Sequence, residues 1–313
     1  MEANWQLPKR ALKRLRQLTY LCCHPIEHHR CASVVRKSRI AHCARTPFKY
    51  LGDHLALSLR PTQRRRALAT HYELLPNVLR SIAKQGLRDG LSIWCKDVGD
   101  GPPLSITLEP SRLAPMEGEL QLRFSYRSDL CVLTFLLASG DVFGAGSAPI
   151  LFIGGMQGGI GCREELREAC RLNGEISAAT LLLLAVQAIG CAMGVGQIIG
   201  IGEENHISMS YARSKINFDY ARIWTQAGGV RRGDHYRIPF VTPNRPLTET
   251  CRSHRSRTRR KRAAKDILRQ SIEIRLRHLI RSNVCDRRSR ISAVRIRSPR
   301  QAAVSIPSSP SLR

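Results

Sequence analysis

Apolar residues recur with two different periods along the middle of this chain, and the changes of period divide it into elements. From Tyr50 to Gly90 the spacing is helical. Leu68, Tyr72, Leu75 and Leu79 return every three or four residues, and Pro61-Thr62 is suited to opening a helix. Pro76 removes an amide donor inside that pattern and so predicts two helices in place of one. The period then falls to two. Leu104–Leu108, Glu119–Tyr126 and Asp129–Ala138 alternate or run apolar between turn residues and predict an antiparallel meander. Ile150–Gly155 predicts a further strand ending in glycines.

A glycine-rich turn follows, then a charged helix over Arg163–Leu172. Ile176–Gly202 contains no charged residue, which by length alone would suit a membrane span. Gln187 in its middle, and Gly190, Gly194 and Gly196 after it, favour a buried helix of about 18 residues, a glycine turn and a buried strand Gln197–Ile201. The loop Gly202–His206, a helix around Asn217–Gln226 ended by Gly228-Gly229, and a strand over Tyr236–Val241 complete the pattern. The fold class expected is therefore α+β, an antiparallel meander with packed helices between basic, partly disordered termini.

Composition changes this picture mainly at the ends. The chain has 313 residues, 51 Lys and Arg against 24 Asp and Glu, and a formal charge of +27. Much of the excess lies outside a central unit placed at 45–245. Residues 1–44 are basic and carry a Cys/His patch (Cys22, Cys23, His24, His28, His29, Cys31, His42, Cys43). Residues 246–313 form an arginine-rich helix and tail whose Pro307/Pro310 end is expected to be disordered. Such arms attract polyanions without selecting one. An anionic lipid surface, an unidentified protein and weakly selective nucleic-acid binding all follow as expectations, the last because the tail lacks interleaved aromatics for base stacking. The patch lacks the spaced pairs of a tetrahedral zinc site, so no metal is assigned. Leu18–Cys23 is too short for a signal-peptide core. With eleven scattered cysteines, a cytoplasmic protein with reduced thiols is expected, peripheral on the inner membrane at most.

Three passages carry a family resemblance: Leu151–Gly158 (LFIGGMQG), Gly200–Ile207 (GIGEENHI), and Phe218–Trp224 (FDYARIW) leading to Gly228-Gly229. His235–Pro239 (HYRIP) follows in the same order, and His71-Tyr72 resembles the family's His-Tyr pair. Over about 50–262 the chain is similar to the bacterial VirK/YbjX family, a domain of unknown biochemical function. The resemblance implies a Gram-negative source and a role in virulence, envelope integrity or resistance to antimicrobial peptides. It implies no reaction.

Two clusters are candidates for chemistry. The strand that ends in glycines before a helix is suited to presenting backbone N–H groups to a pyrophosphate. The meander ahead of it, and the second strand at Gln197, resemble an N-acetyltransferase-like layout in which acyl-CoA lies on that turn. That layout's pattern is Gln or Arg, two residues, Gly, one residue, Gly or Ala. Gly159 and Gly161 match it only with Met156 in the first place, Gln157 being one position away. Gln157, Gly158, Gly159 and Gly161 are thus the candidate acyl-CoA site, with a tight turn as the plainer explanation. In the loop after Ile201, Glu204 and His206 are the pair able to share one side of an extended segment as general acid and base. An accessory role in binding a partner or lipid-linked molecule comes first, and acyl transfer from acyl-CoA or a carrier is the alternative.

Overall fold

The computed structural model describes residues 9–41, 43–99, 101–210, 218–244, 246–249 and 251–280. His42, Tyr211, Asn217 and the proline-containing end of the chain lie outside these. Helices α1 (Lys9–Cys23), α2 (Pro25–Ser38), α3 (Pro61–Val78) and α4 (Ser81–Gly86) precede a run of strands: β1 (Leu91–Lys96), β2 (Leu104–Pro110), β3 (Leu120–Tyr126), β4 (Ser128–Ser139) and β5 (Pro149–Gly158). Helices α5 (Arg163–Leu172) and α6 (Ala178–Met193) lead to β6 (Gln197–Ile201). Then come α7 (Tyr220–Gln226), β7 (Val230–Arg232), β8 (His235–Ile238) and the long α8 (Arg255–Leu279).

The strands form one eight-stranded sheet in the order β1-β2-β3-β4-β5-β6-β8-β7. Each neighbouring pair is antiparallel except β5 and β6, which run parallel and are joined through α5 and α6. That parallel pairing is short. It runs from Ile150↔Gln197 to Ile153↔Gly200, after which β5 continues to Gly158 without β6. The α+β class expected from the alternation is the one observed.

Strand β4 is buried continuously from Leu130 to Ala138, on both faces, because α3 and α6 both pack against it. This is why its sequence runs apolar instead of alternating. The uncharged stretch Ile176–Gly202 folds as expected: α6, a left-handed Gly194, then β6. Among the described residues no helix is long and apolar enough to cross a membrane. The Ser177 hydroxyl caps α6 by accepting from the Thr180 amide. Ser177→Ala should cost about 1 kcal/mol in urea denaturation, as an N-cap loss does.

The stretch Tyr50–Gly90 does hold two helices, α3 and α4, but they part at Leu79-Arg80 and not at Pro76. Pro76 falls in the last turn of α3, where the missing amide forfeits one hydrogen bond and the helix stops two residues later at Val78. Residues outside the central unit also join the core. Val35 of α2 and Leu268, Ile272 and Leu276 of α8 belong to the same buried cluster as the sheet.

Candidate functional site

Strand β5 contains a bulge. Thr134 of β4 pairs with Gly155 and Phe135 pairs with Ile153, so Gly154 is the extra residue. The loop before β3 lies directly on this bulge. A Cβ on Gly154 would be 1.8 Å from the Glu117 carbonyl oxygen, and one on Gly155 would be 1.9 Å from Glu117 Oε2. The paired glycines therefore make room for Glu117.

Glu117 is held from three sides. Gln157 Nε2 donates to its Oε1 at 2.6 Å, the Thr134 hydroxyl to its Oε2 at 3.2 Å, and His206 Nε2 lies 3.4 Å from Oε1. His206 Nδ1 accepts from the Ser208 amide at 3.3 Å, which places the ring proton on Nε2, toward Glu117 and toward Tyr220 Oη at 3.2 Å. Tyr220 comes from the first turn of α7, whose N-cap is Asp219. Its hydroxyl accepts from the Met156 amide at 3.1 Å and lies 3.3 Å from the Met156 carbonyl, occupying the edge of β5 that β6 has left.

The side chains of Glu117 and His206 are only 6% and 4% exposed. Burial pushes the Glu117 carboxyl up to about 7, against the opposing hydrogen bonds of Gln157 and Thr134. Burial also brings His206 down to about 4. Near neutral pH the centre thus holds a neutral imidazole beside a carboxyl close to half-ionised, a state suited to proton transfer.

The residues singled out from sequence separate here. His206 and Gln157 meet at Glu117. Glu204 does not join them: its side chain is largely exposed and pairs with Arg231 at 3.0 Å. Gly159 donates its amide to the Leu130 carbonyl at 2.8 Å, and Gly161 makes a left-handed turn at φ +78°. The Gly159 amide is therefore already satisfied, and Glu164 and Glu165 occupy the first turn of α5, where they disfavour a pyrophosphate.

Gly158 instead lines a cavity of about 890 Å³ along α5. Its lining includes half-buried Leu166, Ala178 and Phe218 and the exposed Arg163, Glu164, Arg167 and Arg171. Arg167 pairs with Glu164, whereas Arg163 and Arg171 make no ion pair among the described residues. The cavity does not reach Glu117: Gln157 turns its side chain to Glu117, while Gly158, the next residue of the strand, and its partner Cys131 face the cavity.

A second carboxylate, Glu119, is buried two residues further on. Lys49 Nζ lies 3.0 Å from both its oxygens, His54 Nε2 3.0 Å from Oε1, and the Tyr72 hydroxyl donates to Oε2 at 2.6 Å. Burial alone would raise its carboxyl, but Lys49 and then His54 outweigh burial and hold it at about 2. His71, next to Tyr72, accepts from the Leu137 amide and sits at about 4 through burial. These groups join the segment around Lys49 and helix α3 to the sheet.

Of the Cys/His patch, Cys22, Cys23 and Cys43 are exposed and Cys31 is buried. Among the described residues no group of three or more His, Cys, Asp or Glu is placed to hold a metal ion.

A family model described as a protein of unknown function, DUF535, matches residues 12–273. The chain belongs to this family. The match begins within α1 and ends within α8, so the DUF535 unit includes elements that composition assigns to the arms. Neither the curated proteins nor the solved structures contain a match to the chain.

Proposed function

We propose that this DUF535 protein transfers an acyl group from a thioester donor, acyl-CoA or a carrier-bound acyl chain, to an amine or hydroxyl acceptor. The observation that carries this reading is the buried Glu117–His206–Tyr220 centre at the end of β5, whose Tyr220 packs at 5.6 Å on Phe218 of the arginine-bearing groove. Arg163 and Arg171 would hold the donor's phosphates in place of the glycine turn, and the apolar lining would hold its acyl or pantetheine chain. Glu117 would accept the acceptor's proton as the new C–N or C–O bond forms. The C–S bond then breaks, and the same proton passes to the leaving thiolate. The parallel β5–β6 pair that parts after Ile153 supports the N-acetyltransferase-like likeness.

A second reading draws on the near-complete burial of Glu117. In it the groove binds a lipid-linked molecule or protein segment without turnover, as an accessory role of VirK/YbjX type would require.

The test is a thermal-shift titration of the full chain with CoA, acetyl-CoA and a long-chain acyl-CoA, with triphosphate as control for the basic arms. A ligand that binds only the native state raises Tm once its concentration exceeds Kd. Acyl-CoA should raise Tm in the native protein and much less in Arg163→Glu/Arg171→Glu, with release of free thiol on adding a polyamine or glycolipid acceptor. A shift without thiol release selects the binding reading. No shift beyond that of triphosphate eliminates acyl-CoA as donor.

A further inference from the structure

Helix α1 presents two unlike sides. One side is attached to the protein: Gln17 Nε2 donates to the Leu51 carbonyl at 3.0 Å, and Tyr20 packs on Tyr50 and accepts from Arg65 at 3.3 Å. The other side faces outward and carries Leu15 (54% exposed), Leu18 (60%) and the exposed Cys22, at spacings of three and four. His24, at φ −131° and ψ 50°, separates α1 from α2, which opens at Pro25. There Ile26 is 64% exposed. The sequence of α1 has five Lys and Arg and no acidic residue, and Glu27 is the single acid in α2.

We infer that α1 docks this protein on an anionic lipid bilayer, with Leu15 and Leu18 entering the interface, the exposed Arg14 beside them, and the helix's net positive charge drawing it to lipid phosphates. The charge argues for this occupant. A helix with basic residues and no acids repels a second copy of itself, whereas an anionic surface attracts each Lys or Arg. The apolar stripe argues against nucleic acid, whose phosphate backbone offers exposed leucines nothing to be buried in. A basic helix with one apolar face and low overall hydrophobicity is the form that lies in a membrane interface. Because the docked side is fixed to Leu51 and Tyr50, binding would hold the whole domain at the surface. This inference does not depend on acyl transfer.

The experiment is flotation of the full chain with vesicles of equal parts phosphatidylglycerol and phosphatidylcholine, and with phosphatidylcholine alone. It is run at low salt and at about 0.5 M salt, where attraction by the arginine-rich arm is screened. The comparison variant is Leu15→Gln/Leu18→Gln, which keeps every charge and alters exposed positions only. The native chain should float with the anionic vesicles and retain part of that binding at high salt. The variant should lose at least about ten-fold in partitioning with unchanged melting temperature and unchanged retardation by duplex RNA. Equal flotation of the two proteins would overturn the inference, as would a parallel loss of RNA binding. A change from dimer to monomer in the variant would assign the stripe to a second copy instead.

Discussion

Lys49→Met is expected to destabilise the protein by about 3–5 kcal/mol at neutral pH, the usual result of removing one partner from a buried ion pair. Lys49 places its ammonium 3.0 Å from both oxygens of Glu119, a carboxylate whose side chain has no exposure. The remaining partners do not replace it. Burial holds His54 below the usual imidazole range, so it donates a hydrogen bond from Nε2 as a neutral ring. Among the described residues its Nδ1 has no partner, which a bare lone pair tolerates better than a proton. Tyr72 also donates as a neutral group. Without Lys49 the carboxylate would remain buried with hydrogen bonds and no counter-charge.

The pH dependence distinguishes this explanation from a general packing loss. The folded Glu119 carboxyl is held at about 2, below its ordinary 4.5. Its contribution is therefore fully present above pH 4.5 and is lost as pH falls toward 2. In Lys49→Met the carboxyl should titrate upward, so the deficit relative to the native protein should shrink as the pH is lowered. Urea denaturation at a series of pH values measures both. A double variant with Glu119→Gln should recover part of the stability. A cost under about 1 kcal/mol for Lys49→Met would mean that the pair behaves as an exposed one.

How far the sequence foretold the structure follows from which forces are local. The strands β2 to β5, the helices α5 and α6 and the strand β6 could be read because burial on a pleated or helical surface imposes a period on the sequence itself. Strand β1 escaped because a register shift between Ser92 and Trp94 breaks its alternation. Helix α3 could be located but not ended, since a proline in a final turn forfeits too little to stop it. The site was harder for a different reason. His206 and Gln157 were identifiable, but the carboxylate they share belongs to a loop of the meander, and Glu204, the neighbour in sequence, points to Arg231 instead. Gly154-Gly155 belonged to a passage that suggested a phosphate turn; what they accommodate is Glu117. One local signal did exist. Glu117-Gly118-Glu119 sets two carboxylates just before β3, next to a strongly apolar meander. Both are buried, one toward His206 and one toward Lys49.

Glu117→Gln separates chemistry from folding at this centre, and its two effects should have opposite sign. Glutamine keeps the shape and can still accept from Gln157 and His206, but it cannot take a proton. If Glu117 is the base, transfer should fall by about 10²–10⁴, the usual contribution of a general base, and the rise of the native rate through pH 7 should disappear. Stability should move the other way. The folded carboxyl at about 7 lies above its ordinary 4.5, so the native protein's advantage is complete below pH 4.5 and is lost as pH rises through 7. At pH 8 that loss is on the order of 3 kcal/mol, and the glutamine variant does not incur it. Below pH 6.5 both proteins should weaken for a separate reason, because His206, held at about 4, resists the proton that the unfolded ring accepts. Urea midpoints at pH 6 and pH 8 therefore provide a readout independent of any substrate. If the variant loses stability at pH 8 as the native protein does, Glu117 is not the buried titrating group, and the proton-transfer role fails with it. If it gains stability while thiol release is unchanged, the group is buried as described and the base must be another residue.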